Sequence, residues 1–186
     1  MIEKTDLQLL TKALAFAALK HKSQTRKDSN KTPYINHPIA LANFLVNEGG
    51  VTDSEILCAA LLHDTIEDTD TRSEELTEAF SAAISSIVQE VTDDKNITDK
   101  AERKRLQEVR SPHLSTKARA VKLADKTCNL RDVIDSPPSH WALERRQEYF
   151  AWSKRVIDGL KGEWQEMEVL FDRQYETGLS ALTKGG

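Results

Sequence analysis

The segment Leu61-Leu62-His63-Asp64-Thr65-Ile66-Glu67-Asp68-Thr69 runs an apolar helix straight into imidazole, carboxylate and hydroxyl side chains. His63 and Asp64 are adjacent, so on a continuing helix they diverge by about 100°. Where the helix ends, both can reach one cation. Glu67 falls four residues after His63, and Asp68 four after Asp64. That spacing puts side chains on a shared side of a turn. One short stretch can thus supply two metal ligands and two carboxylates that orient water or take a proton. Taken alone, the His-Asp pair reads as a polar helix end, and Glu67 and Asp68 as solvated loop acids.

Two further places change that weighing. In Pro33-Tyr34-Ile35-Asn36-His37-Pro38, His37 opens a helix after a polar loop. In Val121-Lys122-Leu123-Ala124-Asp125-Lys126-Thr127-Cys128-Asn129-Leu130-Arg131-Asp132, Asp125 and Asn129 are four apart on an apolar helix and share a face. A carboxylate on that face is costly unless it is paired or bound to a cation. For Asn129 two readings stand, satisfaction of core backbone groups or contact with a ligand. His21, His113 and His140 read as core or surface packing. Trp141, Trp152 and Trp164 fall on apolar helix faces and read as packing residues.

The elements that must position these groups are helices. Only 7 Gly and 5 Pro occur in 186 residues, and Ala, Leu, Glu, Lys and Arg are abundant, a helix-forming composition. Apolar spacing predicts an amphipathic helix over 5–23. Asn36 and Pro38 start a second, which ends at Gly49-Gly50. Thr52 with Glu55, and Thr71 with Glu74, read as capping boxes. Helical periodicity recurs over 81–92, 99–110, 115–134, 139–161 and 163–182. No convincing strand alternation, repeat or linker is visible. The expectation is an all-α chain, one domain over 1–186 with eight to ten helices and C-terminal helices over 139–182.

Composition narrows the function. The 26 Lys and Arg against 30 Asp and Glu leave a net charge of −4, which argues against a nucleic-acid coat. A local basic cluster can still hold a phosphorylated small molecule. No stretch approaches the roughly 20 apolar residues of a membrane span. The start of the sequence has no secretory pattern. Cys58 and Cys128 read as buried free thiols, so a reducing cytoplasm is expected.

His37, then His63-Asp64, then Asp125 resembles the H…HD…D signature of the HD-domain metal-dependent phosphohydrolases. The words around it are more specific: Arg26-Lys27, PYINHP (33–38), ALLHDTIEDT (60–69), VTDDK (91–95), ERKRLQ (102–107), VKLADKTCNLRD (121–132) and RRQEYFAW (145–152). Together they are similar to the hydrolase domain of the RelA/SpoT family, over a motif core of about 20–152. The short length and the QEYFAW segment look like the stand-alone small alarmone hydrolases, which include metazoan SpoT homologues. The length is too small for a linked synthetase.

The resemblance implies a helical HD-domain bundle that holds Mn²⁺ through His37, His63, Asp64 and Asp125. It implies that Glu67 and Asp68 orient water and take its proton, and that Asn129 contacts ribose or phosphate. Arg26 would hold the purine, Lys27, Lys100, Arg103 and Lys104 would offset phosphate charge, and Tyr149 would line the nucleotide pocket. The run from Lys100 to Arg105 also reads as a plain solvated helix face. The implied reaction is removal of the 3′-pyrophosphate of (p)ppGpp, giving GDP or GTP. The same site could act on (p)ppApp or on the 2′-phosphate of NADPH; a regulatory nucleotide-binding module without turnover is the remaining reading. The loop at 28–32 lacks the glycine many relatives carry near Ser29-Asn30, and Thr127-Cys128 replaces bulkier residues. Both departures adjoin the nucleotide region.

Overall fold

The computed structural model describes residues 4–184. Among them the helices are α1 (Lys4–Lys20), α2 (Asn36–Asn47), α3 (Ser54–Leu62), α4 (Thr65–Asp68), α5 (Ser73–Ala79), α6 (Ala82–Val91), α7 (Lys100–Arg110), α8 (Thr116–Asp135), α9 (Leu143–Asp158) and α10 (Gln165–Lys184), with a 3-10 turn at Ser111–His113. The described residues form no strand, only a lone bridge between Thr25 and Pro33. The all-α expectation holds.

Several boundaries move from their sequence positions for identifiable reasons. Helix α3 is capped by Asp53, not Thr52: the Asp53 carboxylate accepts from the N–H groups of Glu55 at 2.9 Å and Ile56 at 3.4 Å. Before α5, Thr71 is buried and its hydroxyl bonds Thr69 at 2.8 Å, so the helix starts at Ser73 without a side-chain cap. Helix α9 starts at Leu143 rather than near 139, because residues 138–141 form a turn closed by the Trp141 N–H on the Pro138 carbonyl at 2.9 Å and Ala142 is extended. Helix α1 stops at Lys20.

Helix α3 is the hub. Every residue from Ile56 to Leu62 is buried, which suits a helix wrapped on all sides, and it packs against α1, α2, α6 and α8. Helix α8 is the second axis; its 20 residues pack against α2, α3, α6, α9 and α10. Helices α9 and α10 cross so closely at Gly178 that an added Cβ would lie 2.5 Å from the Phe150 ring. Both cysteines are buried and unpaired.

The loop between α1 and α2 is clasped by its own backbone. The Arg26 N–H donates to the Thr32 carbonyl at 2.8 Å and the Tyr34 N–H to the Gln24 carbonyl at 3.0 Å. Asp28 accepts from the Thr32 N–H at 3.0 Å and its hydroxyl at 2.7 Å. The tight turn falls on Lys31, at φ +49°. A residue with a side chain pays about 1–2 kcal/mol for that left-handed conformation, which is where a glycine would be at ease. The Ser139 N–H donates to the Lys27 carbonyl at 3.1 Å, fastening the segment before α9 to this clasp.

Candidate metal centre and nucleotide cleft

Three elements aim polar side chains at one point: the first turn of α2 brings His37, the end of α3 brings His63, and the middle of α8 brings Asp125. One ligand atom from each lies within 4.8 Å of the others, and all three residues are buried. His37 Nε2 is 3.3 Å from Asp125 Oδ1, and His63 Nε2 is 4.0 Å from the same oxygen. Asp64 adjoins them: its Oδ2 is 2.9 Å from His63 Nε2 and accepts from the Tyr34 hydroxyl at 2.6 Å. The chain can do this because His63 and Asp64 keep helical backbone angles through the break between α3 and α4.

The protonation pattern fits a divalent cation. His63 Nδ1 faces the Ala60 carbonyl at 2.8 Å, so that nitrogen carries the proton. Its Nε2 then presents a lone pair toward two carboxylates, and this buried atom has no hydrogen-bond partner. A lone pair facing carboxylates is repulsive unless a positive charge lies between them. Without a metal, burial disfavours the imidazolium, but the Asp64 carboxylate outweighs it and raises the His63 pKa to about 8. His37 moves the other way: burial lowers its pKa and keeps it a neutral donor. Burial penalises the Asp125 carboxylate, yet Lys126 and the imidazoles hold it well below the usual range. Asp64 is likewise lowered, chiefly by His63 against the cost of burial. Two imidazoles and two carboxylates suit a divalent metal ion.

The two further acids have different surroundings. Burial, reinforced by Asp93 and Asp64, pushes Glu67 up to about 7, and its Oε2 accepts from the Asp93 N–H at 3.2 Å. Asp68 is raised by burial and by Asp64, and it lines a cleft of about 660 Å³. That cleft also takes in Arg26, Lys27, His37, Asn129, Tyr149 and Trp141. Trp141 is thus a cleft wall as well as a packing residue, with its ring 5.3 Å from that of Tyr149.

Arg26 is anchored rather than free. Its Nη2 donates to Asp132 at 2.5 Å and Asn129 at 3.1 Å, and the guanidinium lies 5.7 Å from the Tyr34 ring centre. Asn129 in turn donates to Asp125 Oδ1 at 2.5 Å. It therefore joins the arginine to the metal-side carboxylate. Lys100, Arg103 and Lys104 ride on α7 outside the cleft lining. Lys100 and Lys104 instead line a groove between α7 and α9 with Arg145 and Arg155.

Sequence reasoning passed over Asp132, Tyr34 and Lys126. Asp132 had a legible signal: Asp125, Asn129 and Asp132 stand at i, i+4 and i+7 on one helix face. Tyr34 lay inside a quoted word, three residues before His37. His21, read as packing, is buried with its ring 4.8 Å from that of Tyr34.

Comparison with known proteins agrees with this geometry. Residues 13–150 match the HD domain family model. A Xenopus tropicalis protein named guanosine-3′,5′-bis(diphosphate) 3′-pyrophosphohydrolase MESH1 is 51% identical over 171 residues, covering 92% of this chain and 95% of that protein. The human protein of the same name is 52% identical over 159 residues, covering 86% of this chain and 88% of its own. A solved structure, described as a metazoan ortholog of SpoT that hydrolyses ppGpp, superposes with TM-score 0.87 at 43% identity, covering 91% of this chain and 94% of that one. The chain belongs to the HD-domain family and, within it, to the SpoT-like MESH1 group.

Proposed function

We propose that this chain, acting as one domain over 1–186, hydrolyses (p)ppGpp to GDP or GTP and pyrophosphate, with Mn²⁺ held by His37, His63, Asp64 and Asp125. The observation that carries the reading is the convergence of His37, His63 and Asp125, with His37 also lining a cleft that holds Arg26 and Asp68. The kinship with MESH1 proteins supplies the substrate class.

In this reading water attacks the phosphorus bonded to the ribose 3′ oxygen, the P–O3′ bond breaks, and the departing O3′ takes up a proton, leaving a 3′-hydroxyl and free pyrophosphate. A bound Mn²⁺ supplies Lewis-acid polarisation of the phosphoryl group and acidifies water. Glu67 accepts the proton of the attacking water; with a pKa about 7 it is matched to that work near neutral pH. Asp68, at the cleft wall, orients the water or relays the proton. Arg26 presents a planar cation to the purine, and its anchors Asp132 and Asn129 hold that plane in place. Lys27 lines the same cleft and offsets phosphate charge, as do Lys100, Arg103 and Lys104 from α7 by longer reach. Two buried free thiols suit a reducing cytoplasm, and no described helix is long and apolar enough to cross a membrane.

The test is a panel of ppGpp, ppApp and NADPH with the metal-stripped chain, with and without Mn²⁺. Pyrophosphate release from ppGpp that needs Mn²⁺ and disappears with EDTA or Asp64→Ala supports the reading. A strong preference for ppApp or for phosphate release from NADPH replaces the substrate. Binding of ppGpp with no product over long incubation makes the chain a regulatory module instead.

A further inference from the structure

Asp125 has two oxygens with different neighbours. Its Oδ1 faces the His37 and His63 imidazoles and accepts from Asn129. Its Oδ2 accepts from the Lys126 ammonium at 3.1 Å. Lys126 is only 4% exposed, and its ammonium sits 4.4 Å from the Trp152 ring centre. The indole is itself held by a hydrogen bond from Nε1 to the Lys104 carbonyl at 3.2 Å. A carboxylate torsion is broad and roughly two-fold, so nothing intrinsic to aspartate decides which oxygen faces the metal site.

We propose that Lys126 is a positioning residue for the metal centre: by taking Oδ2 of Asp125 it commits Oδ1 to the two imidazoles. The inference rests on the metal reading given above. Cation–π contact with Trp152 keeps the ammonium from swinging away, and burial strengthens its bond to the carboxylate by lowering the local dielectric. Lysine adjacent to the ligand in sequence would normally point elsewhere on a helix; here it curls back to the carboxylate beside it. Groups outside the coordinating shell that orient a ligand in this way typically change metal affinity by about 10–100-fold.

Helix α8 supplies an internal control. Lys122, one turn earlier, is also buried, but it donates to the Val91 carbonyl at 2.9 Å and not to a ligand. A merely structural role for buried lysines on α8 predicts the same consequences for both.

The experiment is calorimetric titration of the metal-stripped full chain with Mn²⁺, with thermal unfolding alongside. Lys126→Met is expected to weaken Mn²⁺ binding by about 10–100-fold, while Lys126→Arg recovers most of it and Lys122→Met stays near wild type. At saturating Mn²⁺ the Lys126→Met chain regains turnover, so the defect lies in metal occupancy. Added to Asp125→Asn, Lys126→Met causes no further loss. Where Lys126→Met does not fold, Lys126→Gln, which keeps a donor without the charge, takes its place with the same expected direction. Wild-type Mn²⁺ affinity in a folded Lys126→Met or Lys126→Gln chain, an equal loss in Lys122→Met, or an equal loss on the Asp125→Asn background overturns the inference. Unchanged Mn²⁺ affinity in Asp125→Asn itself overturns the metal reading on which it rests.

Discussion

The His37–His63–Asp125 cluster and the groove between α7 and α9 are both dense in charge and differ in how the charge is held. In the cluster His37, His63 and Asp125 are buried, Asp64 is half-buried, and named partners direct the groups: His63 by Ala60, Asp64 by Tyr34, Asp125 by Lys126 and Asn129. In the groove the arginines pair with nearby acids, Arg155 with Glu108 and Arg145 with Glu148, at 3.1 and 3.4 Å. Lys100 is exposed, and Lys104 rests over the Trp152 and Tyr149 rings. Burial turns charges into directional chemistry, because each misplaced group meets a low dielectric. Exposure leaves charges as a screened field that changes little when one member is lost.

That contrast can be broken first at the cluster. His63→Ala or Asp125→Ala is expected to abolish Mn²⁺-dependent pyrophosphate release, with EDTA treatment of the wild-type chain giving the same result. Retained turnover in either variant places the chemistry elsewhere. Next, Glu67→Gln is expected to lower kcat by about 10²–10⁴-fold with little change in KM. Burial raises the Glu67 pKa to about 7, so its base form is lost as pH falls below that value. The wild-type rate should therefore decline on the acid side, and a pH series on Glu67→Gln should lack that limb.

Smaller effects belong to the groove and the loop. Lys100→Ala, at an exposed charge, and Lys104→Ala, at a half-buried one, are each expected to raise KM for ppGpp by about two- to fivefold. Moderate salt should erase the difference. A much larger, salt-resistant effect in steady-state kinetics would put those lysines in direct, desolvated contact with substrate. Last, Lys31→Gly relieves the left-handed strain at φ +49° but loosens the unfolded chain, a net gain of about 0.5–1 kcal/mol. Urea unfolding measures it; a loss of stability would mean that the Lys31 side chain supports the clasp.

Much of this was legible in the linear chain, for local reasons. Helix spacing placed Asp125 and Asn129 on one face, and the run from His63 to Asp68 already suggested a helix end; the spacing did not show that Glu67 turns to Asp93 while Asp68 lines the cleft. Capping was less legible: Thr52 and Asp53 compete for the same helix start, and the carboxylate wins by accepting from two backbone donors. The proposed role of α7 depended on resemblance alone, since nothing in a run from Lys100 to Arg105 says which way the helix faces.

By itself, the order of residues determined the all-α character and the helix faces that the polar side chains occupy, because these follow from propensity and from 3.6-residue periodicity; the ligand set came from the resemblance to the HD-domain hydrolases. Only the tertiary structure decided which groups meet. His37 and Asp125 are 88 residues apart in sequence, and their contact exists because α2 and α8 both pack on α3. The same packing ties Arg26 to Asp132 across 106 residues and divides the two oxygens of Asp125 between Lys126 and the imidazoles. Such pairings depend on how helices cross, and no local spacing encodes a crossing.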